Sequence, residues 1–333
     1  MLKDLLKEQQ PIVYRALKNA CHEDRISNAY LFSGPEGTLK HEAAILLAQS
    51  IFCEEGEDFA CEACNTCRRI SEGIYGDLVI LDGSVKPVSK DDVDAIQEKF
   101  SRTSLENTKG KRVYIIEHAE TASIAAQNSM LKFLEEPGSG VTAILTTDSA
   151  GRLLETIRSR CTVIPFVPLA PEYYYEKAVE AGIEKDDAYL ISHVIRSTDS
   201  ILPFYESSAW ESTLGMFREY LNLDGMKREE LLIDFEVSWR SKESDSAKAK
   251  KTNIVILQAF FDLLAQYARD AIRGGTEGPA WYRQAIAAEN RKQEYYAKML
   301  VIANEQKDRV NRFNDLNLVL AQAFYRLEEL NHG

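Results

Sequence analysis

The chain has 333 residues, with 40 Lys and Arg against 52 Asp and Glu, so its formal net charge is −12. With 45% hydrophobic and 28% charged residues, its composition is that of a folded protein of two or three domains and excludes the disordered, collagenous and coiled-coil classes. The acidic balance argues against DNA binding by the whole surface, because neutralising phosphates requires clustered Lys and Arg. No apolar run approaches the roughly 18 residues of a membrane span, so we expect a cytoplasmic protein without a membrane partner.

The N-terminal half alternates short apolar segments with helical patterns. The first predicted strand, at 28–32, ends in a loop containing Gly and Pro and is followed by a predicted helix over 41–52. Further strands are predicted at 77–81, 112–117, 141–147 and 161–166. Strands that alternate with helices in this way indicate a mostly parallel sheet with helices on both faces, so we predict an α/β fold for this half.

The strand signals end near Pro168, and the rest of the chain has helical periodicity. Long amphipathic helices are predicted at 208–222, 227–239, 252–272, 279–303 and 310–330. The third of these is expected to bury one face, formed by Ile256, Phe260, Leu263, Leu264 and Tyr267. We therefore expect an α/β domain over 1–167, a small helical domain over 168–204 and an all-helical domain over 205–333.

Four cysteines occur within fifteen positions, in the pattern C-x7-C-x2-C-x2-C. They are Cys53, Cys61, Cys64 and Cys67. Such spacing brings thiolates to the distances that tetrahedral Zn²⁺ requires, and four thiolates leave no open position for water, so the predicted metal is structural. The alternative is a set of four unmetallated thiols. We expect the zinc to hold an insert, at about 53–67, that lacks a core of its own.

The loop after the first strand lies where a phosphate-binding loop of the pattern G-x4-G-K-[ST] belongs. Gly34, Gly37 and Lys40 are candidate nucleotide-binding residues. The glycine that should precede the lysine is Leu39, and the hydroxyl that should bind Mg²⁺ is replaced by His41, although imidazole is a poor magnesium ligand. Two interpretations stay open: a loop that still binds nucleotide weakly, and a turn that binds nothing.

A second nucleotide motif is eroded in the same way. The strand at 113–116 should end in an Asp that holds Mg²⁺ and a Glu that polarises water, but Glu117 and His118 follow it. These losses predict a nucleotide-binding fold without ATPase activity.

Two long segments resemble the clamp-loader ATPase family of bacterial DNA polymerase III. They are VYIIEHAETASIAAQNSMLKFLEEPG at 113–138 and AILTTDSAGRLLETIRSRC at 143–161, which contain the strings MLKFLEEP at 130–137 and Ser-Arg-Cys at 159–161. The C-terminal segment 309–324 is similar to the final helix of the family's oligomerising collar. The resemblance implies an AAA+-type P-loop α/β module with a zinc insert, then a helical lid and an all-α collar.

Within this family, erosion at Leu39, His41 and His118 is typical of the non-catalytic stator subunit rather than the gamma/tau motor. The resemblance implies a role in placing the sliding clamp on primed DNA, with gamma/tau and delta subunits as partners and with the clamp and primer-template DNA reached through the complex. We expect no ATPase activity from this chain alone.

Arg160, in the Ser-Arg-Cys string, is by resemblance an arginine finger that acts on the ATP of a neighbouring subunit. A guanidinium delivered in this way offsets charge that develops on the γ-phosphate. The alternative is a local salt bridge at the end of a helix. Two rival functions also remain open: an ATP-hydrolysing motor subunit, and a free zinc-dependent nucleic-acid-binding module.

Overall fold

The computed structural model describes residues 1–23, 25–57, 59–101, 107, 110–136, 138–222, 246–288, 291–310 and 315–332. They form two compact units, Met1–Leu169 and Ala170–Gly333. The predicted helix at 227–239 lies outside the described residues. In the part of the chain that is described, no helix is long and apolar enough to cross a membrane.

The first unit is built on a five-stranded parallel sheet. Its strands are β1 (Ala29–Ser33), β2 (Leu78–Asp82), β3 (Arg112–Glu117), β4 (Val141–Thr147) and β5 (Thr162–Pro165). Their order across the sheet is β2-β3-β4-β1-β5, and each neighbouring pair is parallel. The predicted parallel α/β architecture is confirmed, and every strand begins and ends within one residue of its prediction.

Seven helices are described in the first unit. They are α1 (Leu2–Gln9), α2 (Pro11–His22), α3 (Lys40–Phe52), α4 (Asn65–Ser71), α5 (Lys90–Ser101), α6 (Ile124–Glu135) and α7 (Glu155–Arg158). Local signals explain several starts: Pro11 opens α2, where its missing N–H costs nothing, and the Ser123 hydroxyl accepts the Ala126 N–H at the start of α6.

The centre of the sheet is buried on both faces. All seven residues of β4 are buried, which explains its continuous apolar and Thr-rich sequence. On one face, Tyr114 of β3 stacks on Phe133 of α6 with ring centroids 4.8 Å apart. Because β1, β4 and β3 are adjacent and parallel, the residues that follow these strands meet at one edge of the sheet.

The second unit is helical throughout its described residues. Its helices are α8 (Pro171–Glu180), α9 (Lys185–Ser192), α10 (Thr198–Tyr205), α11 (Ser208–Asn222), α12 (Ser246–Arg273), α13 (Ala280–Ala288), α14 (Gln293–Val310) and α15 (Leu316–His332). The buried face predicted for α12 is confirmed, since its five apolar residues are each at most 1% exposed. Aromatic rings pack around it, among them Phe217 against Phe260 and Tyr267.

One prediction for this unit is wrong. The single helix expected at 279–303 is two helices, α13 and α14, with Arg291 and Lys292 outside both. Between buried Tyr282 and buried Tyr295 the described residues are exposed or half-buried, so no apolar stripe holds a continuous helix against the core. Pro203 lies inside α10, which loses one backbone hydrogen bond there without ending.

A buried carboxylate joins three helices of the second unit. Asp270 of α12 is 5% exposed and accepts hydrogen bonds from Tyr189 of α9 at 2.7 Å, Tyr282 of α13 at 2.6 Å and Gln266 at 2.8 Å. Burial raises the pKa of Tyr189 and of Tyr282, so both hydroxyls remain donors near neutral pH. Both carboxylate oxygens of Asp270 therefore accept hydrogen bonds.

Replacing Asp270→Ala should lower the free energy of unfolding of the second unit by about 3 kcal/mol, because three donors lose their acceptor inside the core. Urea unfolding followed by tryptophan fluorescence measures the change. Asp308→Ala, at an exposed position of α14, is the matched control and should change stability by less than about 0.5 kcal/mol. Equal effects of the two substitutions would contradict the assigned role of Asp270.

Candidate functional site

The loop between β1 and α3 lies at the carboxyl edge of the sheet, where parallel α/β folds bind ligands. Its first residue, Gly34, donates its N–H to the carbonyl of Thr147, at the end of β4. A Cβ at Gly34 would lie 2.5 Å from the backbone oxygen of Phe166 and 2.7 Å from its Cβ. Only glycine fits this position, so the loop is packed tightly between the ends of β4 and β5.

Leu39 keeps the backbone shape of a phosphate-binding loop although it is not glycine. Its φ is +66°, in the left-handed region that favours glycine, and Gly37 has a φ of +73°. Holding a leucine there costs about 1–2 kcal/mol. The Leu39 side chain is 5% exposed, and burying such a side chain contributes about 1.5–3 kcal/mol, which offsets the strain. Leu39 is therefore held in a left-handed backbone conformation that favours glycine.

The ammonium of Lys40 is engaged by its own chain. Lys40 Nζ donates to the carbonyl oxygens of Gly34 at 2.8 Å and Pro35 at 2.5 Å and lies 3.2 Å from Thr38 Oγ1. It also lies 2.8 Å from Asp148 Oδ1, beyond the end of β4, and its side chain is 7% exposed. A phosphate would have to displace these contacts to reach the lysine.

The two eroded motifs contact each other. The Nδ1 atom of His41, at the start of α3, contacts Glu117 Oε1 at the end of β3. The hydrogen bond to Glu117 raises the pKa of His41, with burial acting in the opposite direction. An ion pair therefore joins the two positions at which the phosphate-loop pattern expects Mg²⁺ ligands.

Two acidic residues that sequence reasoning left out of the site lie beside His118. His118 Nδ1 is 3.6 Å from Asp148 Oδ2 and 4.0 Å from Glu120 Oε1. Glu120 is buried, and its Oε1 accepts the N–H of Asp148 at 3.1 Å. His118 itself has a φ of +49°, which turns the chain sharply at the end of β3. The sequence shows only that these residues follow two predicted strands, and the structure shows that the two strands are adjacent.

The four cysteines form a cluster that could bind a metal ion. Their sulfur atoms all lie within 4.8 Å of one another, and Cys61 Sγ is 3.9 Å from Cys67 Sγ. Four sulfurs at about 2.3 Å from a tetrahedral zinc ion would be about 3.8 Å apart, so the cluster fits such an ion closely. The N–H groups of Cys61, Cys64 and Cys67 each point at the sulfur of another member of the cluster, at 3.2–3.4 Å.

The insert at 53–67 packs on neighbouring helices of the first unit. Cys67 and Ile70 are fully buried, and the ring of Phe59 packs on Tyr14 of α2 with centroids 5.3 Å apart. Gln49 of α3 donates to the carbonyl of Cys67 at 2.8 Å. The sequence concealed this packing because the apolar residues that carry it are separated by charged and small residues.

Arg160 lies at the opposite edge of the sheet from the loop. It follows α7 and precedes β5, and because β5 is parallel to β1, this position is at the amino end of the strands. Its Nη2 is 2.5 Å from Glu135 Oε1, at the end of α6, and its Nη1 donates to the carbonyl of Thr156 at 2.9 Å. The local salt bridge is thus present in the isolated chain, and Arg160 is placed away from its own chain's nucleotide loop.

These features define a parallel α/β module in which the loop after β1 and the start of α3 contact side chains at the ends of β3 and β4. The family described as DNA polymerase III, delta subunit, matches residues 9–170. The chain is 42% identical over 189 residues to the Bacillus subtilis DNA polymerase III subunit delta-prime, covering 57% of each protein. It is 35% identical over 163 residues to the tau subunit of the same organism, covering 47% of this chain and 28% of tau.

These matches cover about half of the chain and make it similar to a relative, the delta-prime subunit of DNA polymerase III. It spans little more than half the length of that relative. Among solved structures, the Thermotoga maritima RuvB Holliday junction branch migration motor is 16% identical with a TM-score of 0.39, covering 88% of this chain and 87% of that one. The Bacillus subtilis clamp loader delta protein is 10% identical with a TM-score of 0.35, covering 95% and 99%.

The His41–Glu117 pair predicts a histidine that titrates above the ordinary value of about 6.5. A raised pKa in the folded state means that the pair stabilises the fold fully below about pH 6.5 and loses its contribution as the pH rises through the folded value. NMR titration of the His41 ring, assigned with His41→Gln, should show this shift, and Glu117→Gln should remove most of it. Exposed Glu136→Gln is the control and should leave the titration unchanged. A Glu117→Gln variant with the same His41 pKa would exclude the pair.

Proposed function

We propose that this chain is the non-catalytic stator, the delta-prime-type subunit, of a DNA polymerase III clamp loader. The observation that carries the proposal is the contact between His41 and Glu117, which occupies the position of the Mg²⁺ ligands in a loop that otherwise keeps its shape. A hydrolytic site needs an oxygen ligand for Mg²⁺ and a residue that orients water. This chain has an imidazole at each of those positions, His41 and His118. A stator requires the fold and its surfaces but not the hydrolysis.

The proposed architecture has three parts. Residues 1–167 form an AAA+-type P-loop α/β module with a zinc insert at about 53–67, residues 168–204 a small helical lid, and residues 205–333 a helical collar through which subunits assemble. The buried aromatic face of α12 supports a collar with a stable core of its own. As a stator, the chain would bind gamma/tau and delta subunits and reach the sliding clamp and primer-template DNA through the complex.

The metal proposed for the cysteine cluster is a structural zinc ion. The donor set is four sulfurs, two of them buried, at separations that suit tetrahedral coordination. The N–H of Ala63 lowers the pKa of Cys61 to about 7, which favours a thiolate on the exposed side of the cluster. Bound there, zinc would join the end of α3 to the start of α4.

The proposed role of Arg160 is to contact ATP held by a neighbouring subunit. Its position at the amino end of the strands favours a partner in trans over the loop of its own chain, which lies at the carboxyl end. The ion pair with Glu135 does not oppose this role strongly. Both side chains are partly exposed, at 34% and 50%, and exposed pairs contribute about 0–1 kcal/mol. A phosphate could therefore displace Glu135 at small cost.

An ATP-hydrolysing motor subunit is the alternative, favoured by the retained loop backbone and by Lys40. ATP hydrolysis by the purified chain separates the two functions. Turnover at the rate of a motor subunit that Lys40→Ala abolishes would establish the motor, whereas turnover that survives Lys40→Ala would come from a contaminant.

The stator proposal predicts that the chain joins a ring with the motor and delta subunits of its own cell. Size-exclusion chromatography of the three purified proteins should show co-elution, and the assembled ring should load the clamp on primed DNA. Omitting this chain should abolish loading while the motor subunit keeps its basal hydrolysis. Failure of the chain to co-elute under conditions in which the other two associate would exclude the proposal.

Elemental analysis should find one zinc ion per chain after purification without chelators. Cys64→Ser should lose the metal, because three thiolates and a hydroxyl bind zinc more weakly. The sheet should persist in this variant, since its core is separate from the insert, so the circular dichroism spectrum should change little. Cys21→Ser, outside the cluster, is the control and should keep a full equivalent. Less than half an equivalent in the wild-type chain, with four freely titrating thiols, would contradict the site.

Arg160→Ala should leave folding, zinc content and ring assembly intact but lower the DNA- and clamp-stimulated ATPase of the ring. A finger contributes about 10³–10⁵ in rate at the site it faces, so total hydrolysis falls by that site's share. Arg160→Lys should recover little, because an ammonium lacks the planar fork of donors. Glu135→Ala is the informative control: it breaks the local pair without removing the guanidinium and should preserve activity. Equal losses in Arg160→Ala and Glu135→Ala would assign Arg160 a structural role.

A further inference from the structure

We propose that His118, Glu120 and Asp148 form a second metal site, which binds a first-row transition metal in the absence of nucleotide. The three residues come from two neighbouring strands. His118 follows β3, Glu120 lies in the 3-10 turn Ala119–Thr121, and Asp148 follows β4. Because β3 and β4 are adjacent and parallel, their ends bring these side chains together. The proposal does not depend on the clamp-loader function.

The donor atoms are close to the separations that a single metal ion requires. One ligand atom from each residue lies within 4.8 Å of the others, and His118 Nδ1 is 3.6 Å from Asp148 Oδ2. Nitrogen and oxygen ligands at about 2.0–2.2 Å from a tetrahedral ion are about 3.4 Å apart. At 3.6 Å and 4.0 Å from the carboxylates, the imidazole is too distant to hydrogen-bond either of them. A small rotation of the side chains would complete a three-ligand set.

The burial of Glu120 is a second observation, independent of the distances, that points to a cation as ligand. Its side chain is only 6% exposed, and its Oε2 atom has no hydrogen-bond partner among the described residues. A buried carboxylate oxygen without a donor is costly, and such groups in folded proteins are normally paired or bind metals. Lys40 forms an ion pair with Asp148. Among the ion pairs of the described residues, the group nearest to Glu120 is the ring of His118.

The surroundings hold two of the ligands in place. Lys40 Nζ lies 2.8 Å from Asp148 Oδ1, which leaves Oδ2 facing His118. The N–H of Asp148 donates to Glu120 Oε1, the oxygen that lies 4.0 Å from His118 Nδ1, while Oε2 has no hydrogen-bond partner among the described residues. The N–H of His118 donates to Thr146 Oγ1 at 3.3 Å, which ties the histidine backbone to β4. Contacts of this kind orient ligands in metal sites and increase their affinity.

The donor set indicates the kind of metal. One imidazole and two carboxylates suit Zn²⁺, Co²⁺ or Ni²⁺, whereas Mg²⁺ prefers oxygen ligands alone. Three protein ligands leave further coordination positions open to water. Water can reach them because the His118 side chain is 33% exposed. The site differs from the cysteine cluster in lacking sulfur, so the two can be distinguished by spectroscopy.

Cobalt binding to the full chain tests the proposal. The cysteine cluster is first saturated with Zn²⁺, excess metal is removed, and Co²⁺ is added without nucleotide. The wild-type chain should bind one further equivalent by elemental analysis, with visible cobalt bands but no thiolate-to-cobalt charge-transfer absorption. Its thermal unfolding temperature should rise with added cobalt.

Two variants assign that equivalent. His118→Asn tolerates the left-handed backbone, and Glu120→Gln keeps the shape of the side chain, so both should fold and retain their zinc. Each should weaken cobalt binding at least about tenfold. Exposed His22→Asn and Glu136→Gln are matched controls and should bind cobalt as the wild type does. Absence of a second equivalent in the wild type, or its survival in both variants, would overturn the proposal.

Discussion

The ion pair between Lys40 and Asp148 connects the chain segments that follow β1 and β4. The rest of the candidate site depends on this connection. Lys40 opens α3 after β1, and Asp148 follows β4, so the pair joins adjacent strand ends at the carboxyl edge. In a phosphate-binding loop this lysine is kept for the ligand, whereas here its charge neutralises a carboxylate of its own chain. Lys40 thereby holds the loop through contacts within its own chain, together with the left-handed backbone at Leu39.

The candidate residues lie at opposite ends of the parallel strands. His41 and Glu117 contact each other at the carboxyl edge. Arg160 belongs to the amino edge, beside the end of α6. The two positions are separated by the length of the parallel strands, and the centre of the sheet between them is buried.

The sequence predicted the sheet well because buried parallel strands are short, continuous apolar runs with polar residues at their ends. It also identified the cysteine cluster and the eroded loop, whose members are near one another in the chain. It could not predict the pairing of His41 with Glu117, which are 76 positions apart and meet only through the strand order. Glu120 was missed for a different reason: an acidic residue just after a strand is normally solvent-exposed, whereas Glu120 is buried and accepts the N–H of Asp148, which follows β4.

The sulfur atom of Cys64 has two structural roles. It accepts the N–H of Cys67 at the first turn of α4, so it caps that helix as well as belonging to the metal cluster. The neighbouring Glu62 accepts the N–H of Leu2 at the start of α1. The segment that contains Glu62 and Cys64 therefore holds the first turns of two helices, α1 and α4, at residues only two positions apart.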